Sequence, residues 1–150
     1  MMVPRIQEVG RHLQWCTILL TLLLAIFLLP LSHAYVGTAA SYKAPYLPSA
    51  CYGSDESEFP ANRLFAAAGD VIWNNGAACG TQYLVTCVSA PSPSKCLPGI
   101  IQVTVVDRAA TLKSHPSSSG AALVLSFDAF SQLVDPPTTK FINISFRQVS

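Results

Sequence analysis

The chain has 150 residues and nearly balanced charge, with nine Lys and Arg against eight Asp and Glu and a formal net charge of +1 at pH 7. Proteins that bind nucleic acid or an anionic membrane surface carry an excess of basic side chains, so the composition argues against both partners. Neutral polysaccharides and other proteins remain compatible with it.

The N-terminal segment is predicted to be a secretory signal peptide that ends at Ala34. Arg5 and Arg11 precede an uncharged run over 16–29, and Ser32 and Ala34 supply small residues at −3 and −1. This order of a basic start, an apolar run and small residues is typical of a cleaved leader. The run is shorter than the ~20 residues that span a bilayer, so we expect cleavage rather than a membrane anchor.

The predicted organisation is a leader over 1–34 and one mature domain over 35–150, a length that suits a single domain. Without the leader, seven basic and seven acidic side chains remain, so the mature net charge is zero. An even number of cysteines in a small secreted domain predicts two disulfides, in any of three pairings, among Cys51, Cys79, Cys87 and Cys96.

A zinc site is the alternative use of these cysteines. No two of them form a C-x-x-C pair, and His115 is the only histidine of the predicted mature chain, so we predict no metal. The sequence also contains no Gly-rich phosphate loop, and we predict no cofactor.

Most of the predicted elements are short strands, and they lie over 37–42, 64–68, 82–88, 100–108, 122–125 and 141–149. A helical turn is predicted over 71–74 with Asp70 as its cap, and a helix over 127–134 with Ser126 as its cap. The proline-rich stretch 89–98 is predicted to be a loop. Short strands of this kind favour a small closed barrel, because closure removes exposed strand edges.

The segment 100–108 gives the strongest strand signal. Its alternation places Ile101, Val103, Val105 and Asp107 on one face, so the apolar row ends in a carboxylate. Burial of a carboxylate is costly, and we therefore expect Asp107 at a wet mouth of the barrel. There it would be either a catalytic acid or a structural residue.

Candidate catalytic groups are few. The seven mature carboxylates are scattered, and no spacing singles out the pair that a glycoside hydrolase needs. His115 lies in a Ser-rich loop, which argues against a Ser-His triad. Stacking faces for sugar rings could come from Tyr42, Tyr46 and Trp73, although core packing is an equally good interpretation for Trp73.

Asn143 begins the sequon Asn-Ile-Ser, which is an acceptor for N-glycosylation. It falls on the polar face of the last predicted strand, so we expect it to be accessible, and its occupancy is left open.

The chain resembles the plant natriuretic peptides, which are expansin-like small secreted proteins, in five stretches: GTAASY, PYLPSACYGSD, AAGDVIWNNGAACGTQYLVTC, IIQVTVVDR and LVLSFDAFSQLVDP. The resemblance covers nearly all of 36–149. It implies a mainly β fold, a six-stranded double-psi β-barrel with one or two short helices, similar to the first domain of expansins and to lytic transglycosylases. It also implies disulfides between Cys51 and Cys79 and between Cys87 and Cys96.

Two departures from the family pattern bear on function. The acid of the related glycosidases corresponds to Val124, which cannot transfer a proton, so we predict that the chain is not an enzyme. The cysteine pair that usually flanks the next loop is replaced by Ala109 and Ser119. We therefore expect Asp107 to fix a loop through backbone amides, beside a segment 109–120 that is more mobile than in relatives.

The implied function is that of a secreted, non-catalytic apoplastic monomer, active in extracellular signalling of water and ion homeostasis or associated with the cell wall. Its partner would be a cell-surface receptor or a cell-wall polysaccharide, with no membrane contact after leader cleavage. The alternative is a polysaccharide-binding or polysaccharide-acting protein that uses Asp107. The candidate groove consists of Tyr42, Tyr46, Trp73 and Asp107.

Overall fold

The computed structural model describes residues 6–28, 33–109 and 120–149, which fall into an N-terminal unit up to Ser32 and a second unit from His33. The N-terminal unit contains helix α1, Ile6–Phe27. Its segment Glu8–Phe27 is long and apolar enough to cross a membrane, a test that N-terminal signal sequences also pass. The helix extends beyond the uncharged run and includes Glu8 and Arg11, so its length does not separate a cleaved leader from a membrane anchor. Cleavage after Ala34 stays a prediction.

The second unit is built from eight strands and two helices of the described chain. They are β1 Tyr35–Tyr42, β2 Phe65–Ala68, α2 Asp70–Trp73, β3 Gln82–Ser89, β4 Lys95–Cys96, β5 Ile101–Arg108, β6 Leu123–Ser126, α3 Phe127–Leu133, β7 Val134–Asp135 and β8 Ile142–Val149. Helix α2 continues into a 3-10 turn at Asn74–Gly76, and Ser126 caps α3 by accepting a hydrogen bond from the Ala129 amide.

Six of these strands close into a barrel in the order β1-β6-β2-β5-β3-β8. The pairs β1–β6 and β2–β5 are parallel, and the other pairs are antiparallel. The predicted six-stranded, mainly β barrel is thus confirmed. The predicted loop 89–98 contains β4, which pairs with β7 in a two-stranded ribbon. The sequence did not predict β4, because a strand of two residues is too short to show a periodic pattern.

The barrel interior is filled by aliphatic side chains from every barrel strand, among them Val85, Val103, Leu123, Leu125 and Ile144. A second apolar cluster lies on the opposite face of β1, β6, β2 and β5. Its members are Ala40, Tyr42, Tyr46, Phe65, Ala67, Val106, Ala109, Ala121 and Val124. Strands buried on both faces lose the polar alternation of a half-exposed strand, which accounts for the all-apolar segments FAAA and LVL.

Two disulfides connect the loops to this frame, Cys51–Cys79 and Cys87–Cys96. They are the pairs that the family resemblance implies. The first spans 28 residues of sequence and stabilises the fold by about 3–4 kcal/mol in the chain-entropy account. It holds the 43–64 loop, which covers the second cluster, against the turn after α2.

Candidate functional site

A β-bulge in β5 changes the direction of Asp107. Ala66 of β2 pairs with Val105, but the next residue, Ala67, pairs with Asp107, so Val106 is an extra residue. A bulge re-aims the side chains that follow it. The prediction that Asp107 continues the interior row of Ile101, Val103 and Val105 is therefore wrong, because its carboxylate reaches the 43–64 loop instead.

Asp107 is fully buried, which also contradicts its predicted place at a wet mouth. Its Oδ1 accepts hydrogen bonds from the Ala50 and Arg108 amides, each at 2.8 Å. Bonds from backbone amides compensate for the burial of a carboxylate. This is the loop-fixing contact expected for Asp107. The segment predicted to be mobile beside it falls largely on residues 110–119, which lie outside the described residues.

The tyrosines of the candidate groove lie in the same covered cluster. Tyr42 and Tyr46 meet edge to face at 5.0 Å between ring centroids, and Tyr46 meets Phe65 at 4.7 Å. Tyr42 is only 7% exposed. The structure places Tyr42, Tyr46 and Asp107 close together. Neighbouring rings pack on the tyrosines, so the three residues do not form an open groove.

Trp73 is not part of this group. It lies in α2, is partly buried against the interior core, and has the Arg108 guanidinium 5.9 Å from its ring centre. The neighbouring Asp70 carboxylate accepts a hydrogen bond from Arg108 at 3.0 Å. Trp73 therefore packs against the core and beside Arg108, which is the packing interpretation of its role.

Burial controls the chemistry of the Tyr42 hydroxyl. Desolvation raises its pKa far above the usual value of tyrosine, and the nearby Asp107 carboxylate and Tyr46 raise it further. Among the described residues the hydroxyl has no hydrogen-bond partner. Tyr42 is consequently a neutral phenol at physiological pH and cannot serve as a base.

Val124 belongs to the same covered face. It lies in β6, and its side chain is buried in the second cluster. The position at which the resemblance places the acid of a glycosidase is thus apolar and shielded from solvent. Within the described part of the chain, no group of three or more His, Cys, Asp and Glu side chains could hold a metal ion.

An open groove, here called the mouth groove, lies at the other end of β1. It encloses about 510 Å³ and is lined by Tyr35, Asp70, Val71, Ile72, Asn74, Tyr83, Phe146 and Gln148. Tyr35 is 58% exposed and packs on Phe146, with 5.9 Å between ring centroids and 32° between ring planes. Sequence reasoning missed Tyr35, although its alternation with Gly37 and Ala39 places it on the inner face of the strand.

Asn143 is exposed on β8, where its side-chain amide donates a hydrogen bond to Ser89 Oγ at 2.7 Å. Its predicted position on the polar face of the last strand agrees with the burial of Ile142 and Ile144 on either side.

Comparison with known proteins extends this description. Residues 66–146 match the family described as Lytic transglycolase, a double-psi β-barrel family. An EG45-like domain containing protein of Citrus jambhiri is 38% identical over 120 residues, which cover 78% of this chain and 83% of that protein. The putative EG45-like domain containing protein 1 of Arabidopsis thaliana is 34% identical over 125 residues, 81% of this chain and 89% of that protein.

Solved structures with the same barrel include expansins and an inhibitor. The apo expansin of Clavibacter michiganensis is 25% identical with a TM-score of 0.56, and a mutant of it in complex with cellohexaose scores 0.57. The alignment covers 79% of this chain and 51% of that expansin, so the chain spans about half its length. A Streptomyces papain inhibitor, 20% identical with a TM-score of 0.53, shares the fold over 81% of this chain and 99% of the inhibitor. The chain belongs to the EG45-like family of expansin-like double-psi β-barrel proteins.

Proposed function

We propose that the chain is a secreted, non-catalytic protein of the plant apoplast. The observation that carries this proposal is the covered face around Val124 and Asp107. Glycoside cleavage needs a proton donor in contact with the substrate. Val124 has no proton to transfer, and Asp107 is buried with its Oδ1 engaged by the Ala50 and Arg108 amides.

Three features support secretion. Helix α1 is apolar and N-terminal, as in a signal sequence. Both disulfides suit an oxidising compartment. The third is the family, because expansin-like proteins are extracellular. The mature domain would begin at Tyr35 and carry no net charge.

The role implied by the resemblance to plant natriuretic peptides is extracellular signalling of water and ion homeostasis through a cell-surface receptor. A disulfide-stapled barrel whose described residues place no proton donor at the family's acid position suits a protein that acts by being recognised. The secreted protein should change the volume of plant protoplasts in a saturable manner. The reduced and alkylated protein, which lacks both disulfides, is the control and should be inactive.

Absence of any volume response to the folded protein would contradict the signalling role. Release of reducing ends from cellulose, xyloglucan or pectin would contradict the non-catalytic assignment. The two assays are independent, so each part of the proposal can fail alone.

A second candidate function is binding of a cell-wall polysaccharide. The cellohexaose complex of the expansin neighbour favours it, as does the mouth groove of this chain. An exposed aromatic ring such as Tyr35 offers a stacking face for a sugar, and Asp70, Asn74 and Gln148 supply polar groups beside it. The mouth groove therefore replaces the groove first predicted around Tyr42 and Tyr46 as the candidate surface.

A further inference from the structure

The outer face of β8 carries an apolar groove beside the sequon. The groove encloses about 280 Å³ and is lined by Val36, Gly37, Thr38, Val88, Asn143 and Ile144. Val36 is 82% exposed and Val88 is 58% exposed. These two exposed valines, on the strands that flank β8, form a patch that the described part of the chain does not cover.

The strand register places Asn143 between these valines. Asn143 pairs with Thr38 of β1 on one side and with Ser89 of β3 on the other. The pairing of β3 with β8 passes from Cys87 to Ser89, so Val88 is an extra residue in a bulge next to Asn143. On the β1 side, Val36 pairs with Ser145, the third residue of the sequon.

The Asn143 amide is compatible with glycosylation. Its Nδ2 carries two hydrogens, and the bond to Ser89 Oγ uses one of them. The second hydrogen can be replaced by a sugar while the bond to Ser89 is retained. The exposed position leaves room for a bulky substituent.

We propose that Asn143 carries an N-linked glycan whose first sugar covers Val36 and Val88. The inference rests on the proposed secretion, since the donor is a lipid-diphosphate-linked oligosaccharide of the secretory pathway. Asn143 Nδ2 forms a bond to C1 of the first sugar as the bond from C1 to the diphosphate oxygen breaks. The amide loses one proton, and the lipid diphosphate leaves with the bonding electron pair.

The test uses the full chain expressed through the secretory pathway of plant cells. An amidase that removes N-glycans should lower the apparent mass of the secreted protein and convert Asn143 to Asp in its peptide map. Two variants form a matched pair: Ser145→Thr keeps the sequon and should retain the glycan, whereas Ser145→Ala removes the sequon and should lose it.

A separate measurement tests whether the glycan covers Val36 and Val88. Secreted Ser145→Ala should bind more of a fluorescent apolar dye than Ser145→Thr, and adding Val88→Ser to Ser145→Ala should remove the excess. Equal dye binding by the matched pair would overturn the covering role. Secretion without a glycan at Asn143 would overturn the proposal itself, whereas a glycosylated chain retained in the cell would support it and contradict only the proposed secretion.

Discussion

Tyr35 and Tyr42 stand at opposite ends of β1, yet the first is 58% exposed and the second 7%. Tyr42 is covered by the 43–64 loop, which Cys51–Cys79 and the bond from the Ala50 amide to Asp107 hold in place. Tyr35 lies at the open mouth groove. The comparison teaches that the loop after the strand, rather than the residue type, decides which of the two rings has a face open to a ligand.

The largest loss of stability should come from placing an acid at position 124, where the related glycosidases have theirs. Val124→Asp places a carboxylate in an apolar, buried cluster, on the other side of Ala67 from Asp107, and we expect a loss of about 4 kcal/mol in the free energy of unfolding. Urea titration of the secreted protein measures it. Val124→Thr, which has nearly the same shape, should lose about half as much. If Val124→Asp were as stable as wild type and released reducing ends, the covered face would be a latent active site.

The second largest loss of stability should come from removing the Asp107 carboxylate, which fixes the 43–64 loop. Asp107→Ala leaves the Ala50 and Arg108 amides without this acceptor, and we expect a loss of about 3 kcal/mol. Asp128→Ala is the matched control, because its pair with Arg63 is exposed and should contribute at most about 1 kcal/mol. Equal losses in the two variants, measured by urea titration, would show that Asp107 does not hold the loop.

Substitutions in the mouth groove should change ligand binding rather than the stability of the fold. If it takes a wall polysaccharide, Tyr35→Ala should weaken cellohexaose binding about tenfold by loss of ring stacking, while Tyr35→Phe should bind as wild type does. Calorimetric titration measures both. Weakened binding in Tyr42→Phe together with unchanged binding in Tyr35→Ala would assign the ligand to the other end of the strand.

The smallest effect is expected from removal of the buried hydroxyl. Tyr42→Phe should change the free energy of unfolding at pH 7 by less than about 1 kcal/mol, because the hydroxyl has no hydrogen-bond partner among the described residues. The raised pKa means that the folded protein holds the phenolic proton more tightly than the unfolded chain does. This contribution is complete below pH of about 10 and is lost as the pH rises further.

Tyr42→Phe should therefore weaken the alkaline loss of stability. Thermal unfolding of both proteins between pH 8 and the alkaline limit of the measurement would show it. An unchanged alkaline slope would mean that Tyr42 is in contact with solvent.

The sequence predicted the barrel strands well because most of them alternate or are continuously apolar. It also predicted helix α3, with Ser126 as its cap. It failed at Asp107, because alternation assumes an uninterrupted ladder and the bulge at Val106 is a property of the pairing with β2. Whether Tyr42 is covered depends on where the 43–64 loop folds, which local pattern does not encode. The exposure of Tyr35 has the same origin, since no loop among the described residues covers its ring.

The most direct test of the covered face is amide hydrogen exchange at Ala50, whose N–H is bonded to Asp107 Oδ1. In the secreted protein we predict protection close to the free energy of global unfolding, because the loop opens only when the barrel does. Exchange of the Ala50 amide at the rate of an unstructured peptide, with the barrel strands still protected, would contradict the account. It would mean that the loop opens by itself and exposes Tyr42, Asp107 and Val124 to a ligand.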